Sequence, residues 1–149
     1  CLLLGQMQGG IHVLDVNSKK EIKNLAFHKN GVFDIVAAEN EKVFFAAGGD
    51  GVLSLWSTLN FELLKSKKVA NKSIRTLVID EIQQKIYAGC SNNFIYVLNY
   101  KTLEIIHQWA AHKNSIFTLC LSPDGKFLLS GSRDAHLNVW EVDNVYQLI

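Results

Sequence analysis

Residues 127–142 read Phe-Leu-Leu-Ser-Gly-Ser-Arg-Asp-Ala-His-Leu-Asn-Val-Trp-Glu-Val. The first half is a short apolar run closed by Ser130 and Gly131. In the second half the residues alternate, with Ala135, Leu137 and Val139 on one side and His136, Asn138 and Trp140 on the other. An apolar run followed by a two-residue alternation predicts two strands joined by a tight turn at Arg133 and Asp134.

The same pattern recurs along the chain. At successive steps of forty-two residues Trp140 meets Leu98, Trp56 and Leu14, while Asp134 meets Asn92, Asp50 and Gln8. His112 falls on Ala70 and then His28, and Ile116 falls on Ile74 and Val32, with no insertion breaking the register. Several residue types keeping one spacing make the period real, and a period of this size marks an architecture of repeated supersecondary units. The register divides the chain at 1–27, 28–69, 70–111 and 112–149.

On these residues the whole chain resembles a WD-repeat β-propeller. Ala111-His112, Ser130, Asp134 and Trp140-Glu141 stand near the family's Gly-His, hydroxyl, Asp and Trp-Asp positions. The Trp-Asp dipeptide is never intact: Trp56 is followed by Ser57, Trp140 by Glu141, and the remaining units carry Leu14-Asp15 and Leu98-Asn99. The resemblance implies an all-β fold of four-stranded antiparallel blades, about three and a half of them here, from a ring of about seven. Each blade buries its faces against two neighbours, so the arc is expected to need further blades. The expected source is the rest of a longer chain, with a homodimer as the alternative.

The first unit opens in the apolar run 1–4, read as a second strand, and continues with strands over 11–16 and 21–27, lacking an innermost strand. The second has strands at 32–37, 42–47, 51–56 and 62–69, and the third at 74–79, 85–89, 94–99 and 103–108. The fourth has strands at 115–121, 126–130 and 135–142, with an outer strand beginning at 147–149. Gly48-Gly49-Asp50-Gly51 supplies residues that tolerate positive φ in a tight hairpin. Lys65, Lys67 and Lys68 lie on an outer strand, where lysines discourage edge-to-edge pairing; a phosphate-binding patch is the alternative reading.

Composition narrows the function. The chain is 48% hydrophobic and 19% charged with a formal net charge of +1, which separates it from disordered chains and from strongly basic nucleic-acid binders. No apolar run approaches the length of a membrane span. Cys1, Cys90 and Cys120 form no C-x-x-C pair, which points to a reducing compartment and a cytoplasmic protein. Cys90 and Cys120 read as core residues rather than nucleophiles. His12, His107 and His136 lack metal-ligand spacing, and no phosphate or dinucleotide fingerprint is present, so no cofactor or metal is expected.

His112, Ser130 and Asp134 are the residue types of a catalytic triad. The resemblance implies otherwise: with Trp140 they form a structural hydrogen-bond relay in which Asp accepts from the His ring, the hydroxyl bridges, and the indole N–H is satisfied. A buried indole left unpaired would cost about 1 to 3 kcal/mol. His28, Asp50 and Trp56 repeat the pattern with Ala46 at the hydroxyl position, so that copy is expected to be incomplete. The third unit, with Ala70 and Leu98, is expected to replace its polar network with apolar packing. Repetition of the set argues for a scaffold, not an active site.

The resemblance also implies a binding face where the loop entering the innermost strand and the turn between the second and third strands open together. Those positions are Gly31, Phe33 and Gly49; Ser73, Arg75 and Ser91; Ser115, Phe117 and Arg133; and Met7. Aromatic and cationic side chains are enriched where interfaces concentrate their energy. The alternative is that the phenylalanines turn inward to pack between blades. The expected function is a non-enzymatic scaffold docking proteins or peptides, with a nucleic-acid-binding propeller and a propeller hydrolase as alternatives.

Overall fold

The computed structural model describes residues 1–149 as antiparallel strands grouped in four sheets. The first holds β1 (Leu2–Gly5), β2 (Gly10–Asp15) and β3 (Lys20–Ala26). The second holds β4 (Val32–Ala38), β5 (Val43–Gly48), β6 (Val52–Ser57) and β7 (Leu63–Lys68). The third holds β8 (Ile74–Asp80), β9 (Lys85–Cys90), β10 (Phe94–Asn99) and β11 (Ile105–Ala110). In the fourth, β12 (Ile116–Leu121), β13 (Phe127–Ser132) and β14 (Leu137–Glu141) are followed by a single 3-10 turn and the short β15 (Gln147–Leu148). Strands pair in chain order within every sheet, as short hairpin connections dictate. No helix is long and apolar enough to cross a membrane.

The chain divides into two compact units, Cys1–Ile74 and Arg75–Ile149. In the first, Ile11, Val13 and Leu25 meet Val32, Phe44, Ala46 and Trp56 of the second sheet. In the second, Ile95 and Val97 meet Ile116, Leu128 and Trp140, the same positions two periods on. Where neighbouring sheets approach most closely the chain has glycine: a Cβ on Gly5 would lie 2.8 Å from Val32, and one on Gly89 would lie 2.8 Å from Ile116.

The period is also written in the backbone. The residue after each hairpin's Asp position is left-handed in all four sheets: Gly9 (φ 96°), Gly51 (73°), Asn93 (75°) and Ala135 (66°). A second left-handed series, Lys19, Phe61, Leu103 and Val145, turns the chain into each outer strand. Register shifts follow the same step, between Val13 and Leu14, Leu55 and Trp56, and Val97 and Leu98.

Strand ends depart from the sequence reading where these turns intrude. The outer strand expected at 103–108 is β11, Ile105–Ala110, because Leu103 lies in the turn with its side chain buried. The strand expected from 135 starts at Leu137, since Ala135 carries the left-handed turn. Cys90 is buried as expected, but Cys120 is exposed. It lies opposite Leu129, and alternation puts both on the face of the fourth sheet turned away from Leu119, Leu128 and Trp140.

Candidate functional site

In the unit Arg75–Ile149, His112 is placed by the turn between β11 and β12, Asp134 by the turn between β13 and β14, and Ser130 and Trp140 by facing strands. The His112 ring contacts the Asp134 carboxylate through Nδ1 at 3.0 Å and Ser130 Oγ through Nε2 at 2.8 Å. The Trp140 indole N–H donates to the same Oγ at 2.8 Å. One proton arrangement satisfies every group: indole to hydroxyl, hydroxyl to Nε2, and Nδ1–H to carboxylate. Burial pushes the Asp134 carboxyl up, but the amides of Lys113 and His136 and the His112 ring outweigh it and hold the group well below the usual carboxylate range.

The unit Cys1–Ile74 contains a second complete relay, which corrects the expectation of an incomplete one. His28 Nδ1 meets Asp50 at 3.1 Å, and its Nε2 meets Ser54 Oγ at 2.8 Å. Trp56 Nε1–H donates to Ser54 Oγ, also at 2.8 Å. The hydroxyl comes from β6 instead of β5, because Ala46 and Ser54 are direct cross-strand partners and either position reaches the same space. In the fourth sheet the facing pair is Ser130 and Asn138, with the hydroxyl on the other strand. The signal was present in the sequence, since Ser54 and Trp56 share one face of one strand. The Asp50 carboxyl is again raised by burial but held low by the Lys29 amide, the His28 ring and the Val52 amide.

The third sheet also departs from expectation. Asn92, at the Asp position, donates through Nδ2 to the hydroxyl of Tyr96 at 2.8 Å, so a polar contact persists where apolar packing alone was expected. Tyr96 stands opposite Ala88, in the cross-strand site that a serine occupies in the sheets on which the relays are built.

The positions expected to form a binding face gather within each unit. In Cys1–Ile74, Gly49 N–H donates to Gly31 O at 2.7 Å, and Ser73 Oγ to Gly49 O at 3.3 Å. A Cβ on Gly49 would touch the half-buried Phe33 ring at 3.1 Å, and one on Gly31 would touch the Met7 backbone at the same distance. Met7 itself is 75% exposed. In Arg75–Ile149, Arg75 Nε–H donates to Ser91 Oγ at 2.8 Å, and its guanidinium lies over the Phe117 ring at 5.5 Å. Ser115 Oγ donates to Ser91 O, and Arg133 N–H to Ser115 O.

Phe33 and Phe117 occupy equivalent β-bulges. In the pairing of β4 with β5 the register skips Phe33, and in that of β12 with β13 it skips Phe117. A bulge adds one residue to one strand and re-aims its side chain. Phe117 accordingly leaves the inward alternation and is 48% exposed. Periodicity located these two residues, but only the register shift shows why they do not join the core.

The family description "WD domain, G-beta repeat" matches residues 11–57 and 103–141, more than half of the chain. The chain is 25% identical to the Denticleless protein homolog of Gallus gallus, over 93% of its own length and 23% of that protein's. It is 30% identical to Protein lethal(2)denticleless of Drosophila melanogaster over 71% of the chain and 16% of the relative. With WD repeat-containing protein 90 of Xenopus tropicalis it shares 25% identity over 92% of the chain and 8% of the relative. The chain therefore spans less than a quarter of the length of these curated relatives.

Proposed function

This chain belongs to the WD-repeat family, and from that premise we propose that it is a non-enzymatic scaffold that docks a protein or peptide on its loop face. The observation that carries the reading is the exposed, bulged Phe117 pinned beneath Arg75, beside Ser91, Ser115 and Arg133. Within the unit Cys1–Ile74, taken by itself, Met7, Phe33 and Ser73 are proposed as the corresponding loop surface. A rigid aromatic and cationic cluster at the end of packed sheets is the composition of an interface hot spot.

The relays are assigned a structural role. His112, Ser130 and Asp134 have the pairing of a catalytic triad, but the Ser130 side chain is fully buried and its oxygen already accepts from Trp140. A nucleophile needs a path to its substrate, and a fully buried hydroxyl held between an indole and an imidazole has none. The second relay repeats the arrangement with its serine on a different strand, which preserves the hydrogen bonds but would not preserve an attack trajectory.

Binding of partner proteins to the full-length protein, measured together with thermal unfolding, tests the assignment. Arg75→Glu or Phe117→Ala is expected to abolish partner recovery with the melting temperature nearly unchanged. A large fall in melting temperature for Phe117→Ala with binding intact would place that ring in the core instead.

A further inference from the structure

Charge is segregated between the two ends of the unit Arg75–Ile149. Antiparallel pairing puts the start of β8, the end of β9, the start of β12 and the end of β13 at one end, with Arg75, Lys113 and Arg133. The acid among them, Asp134, directs its oxygens to the His112 ring and the amides of Lys113 and His136. At the other end Asp80, Glu81, Glu104, Asp124, Glu141 and Asp143 outnumber Lys85, Lys101 and Lys126. The chain's net charge of +1 conceals this separation.

The cationic end also has shape. A concavity of about 300 Å³, open to solvent, is lined by Lys113, His136, Asn138, Ala110 and Ala111 together with the paired His112 and Asp134. Asn138 is held there by donating to Ala111 O at 2.9 Å. Arg133 is anchored through its backbone amide to Ser115, two residues from the exposed Phe117, so its side chain is not required for that link. An apolar surface, a guanidinium and an ammonium beside a hollow therefore share one loop surface.

We propose that this surface binds an acidic linear peptide segment, with carboxylates at Arg133 and Lys113 and an apolar side chain against Phe117. The inference rests on the reading of this face as a docking surface and adds the chemistry of the partner. Complementary charge gives such a contact its selectivity and its rate of encounter. A short peptide fits better than a nucleic acid because the face offers only Arg75, Lys113 and Arg133 as cations beside the Phe117 ring, whereas nucleic-acid affinity grows with the number of phosphates neutralised.

Fluorescence anisotropy on the full-length protein tests this with four labelled probes: a peptide alternating glutamate and leucine, its lysine–leucine and glutamate–serine counterparts, and single-stranded oligothymidylate. The glutamate–leucine peptide is expected to bind best. Lys113→Glu and Arg133→Glu should each weaken it by about tenfold, Lys113→Gln and Arg133→Gln by less, with unchanged melting temperatures. Phe117→Ser should weaken the glutamate–leucine peptide and leave the glutamate–serine peptide unaffected. Equal or tighter binding of the lysine–leucine peptide, still dependent on Phe117, overturns the acidic preference and leaves the docking face standing. Preferred binding of oligothymidylate overturns the peptide assignment, and failure of all four probes overturns both readings.

Discussion

At the scale of single residues, the two relays show that a hydrogen-bond network is specified by a position in space that more than one residue number can fill. Ser54 serves His28 and Trp56 from β6, while Ser130 serves His112 and Trp140 from β13. Ser54→Ala leaves a buried indole N–H without an acceptor and a buried imidazole nitrogen without a donor. The expected loss is about 1–3 kcal/mol in denaturant unfolding of the full-length protein. Because Ala46 lies directly across from Ser54, adding Ala46→Ser should restore most of that loss. A double variant no more stable than Ser54→Ala would show that the two strands are not equivalent. The thiols divide by the same logic of local environment. Burial pushes the Cys90 thiol up to about 12, while Cys1 and Cys120 are exposed. In the native state iodoacetamide should label Cys1 and Cys120 readily and Cys90 only on unfolding, since the thiolate is the reactive species; mass spectrometry of native and denatured samples gives the comparison.

At the scale of the hairpin, the turn after β13 departs from its counterparts in one residue. Gly9, Gly51 and Asn93 tolerate the left-handed conformation, whereas Ala135 adopts it at φ 66° against its preference. The left-handed state costs an ordinary residue about 1–2 kcal/mol, and the greater freedom of glycine in the unfolded chain offsets part of the relief. Ala135→Gly should therefore stabilise by about 0.5–1 kcal/mol. Gly51→Ala should do the opposite and by more, because its Cβ would also fall 2.0 Å from the Ala70 carbonyl oxygen. Unfolding curves for the two variants should shift in opposite directions. The Phe33 and Phe117 bulges act at this same scale: one extra residue in an innermost strand takes an aromatic ring out of the core alternation and offers it to the loops.

At the scale of the whole molecule, the carboxylates of Asp50 and Asp134 couple stability to pH. Both are held below the ordinary carboxylate value in the folded chain, so their contribution is present above the unfolded value of about 4 and is lost as pH falls through the lowered folded values. Thermal unfolding from pH 7 downward should show a stable plateau that declines below about pH 4, and Asp50→Asn with Asp134→Asn should flatten that decline while lowering the plateau. A decline of unchanged steepness would assign the acid sensitivity to other groups. Read alone, the sequence determines the period, the antiparallel sheets and the residues that alternate into each core, because a forty-two-residue register repeated in Trp56 and Trp140, His28 and His112, Asp50 and Asp134 leaves little freedom in the assignment. It also locates Arg75, Ser91, Ser115 and Arg133, which lie near Phe117 within the unit Arg75–Ile149. It does not reveal that Ser54 completes a relay from the facing strand, that Tyr96 retains a polar contact, that Cys120 lies on an exposed face, or that the bulge turns Phe117 outward. Those features depend on which atoms meet across strands and on where the pairing slips by one residue. Periodicity along a chain encodes spacing, whereas cross-strand partnership and register arise only when the strands are laid side by side.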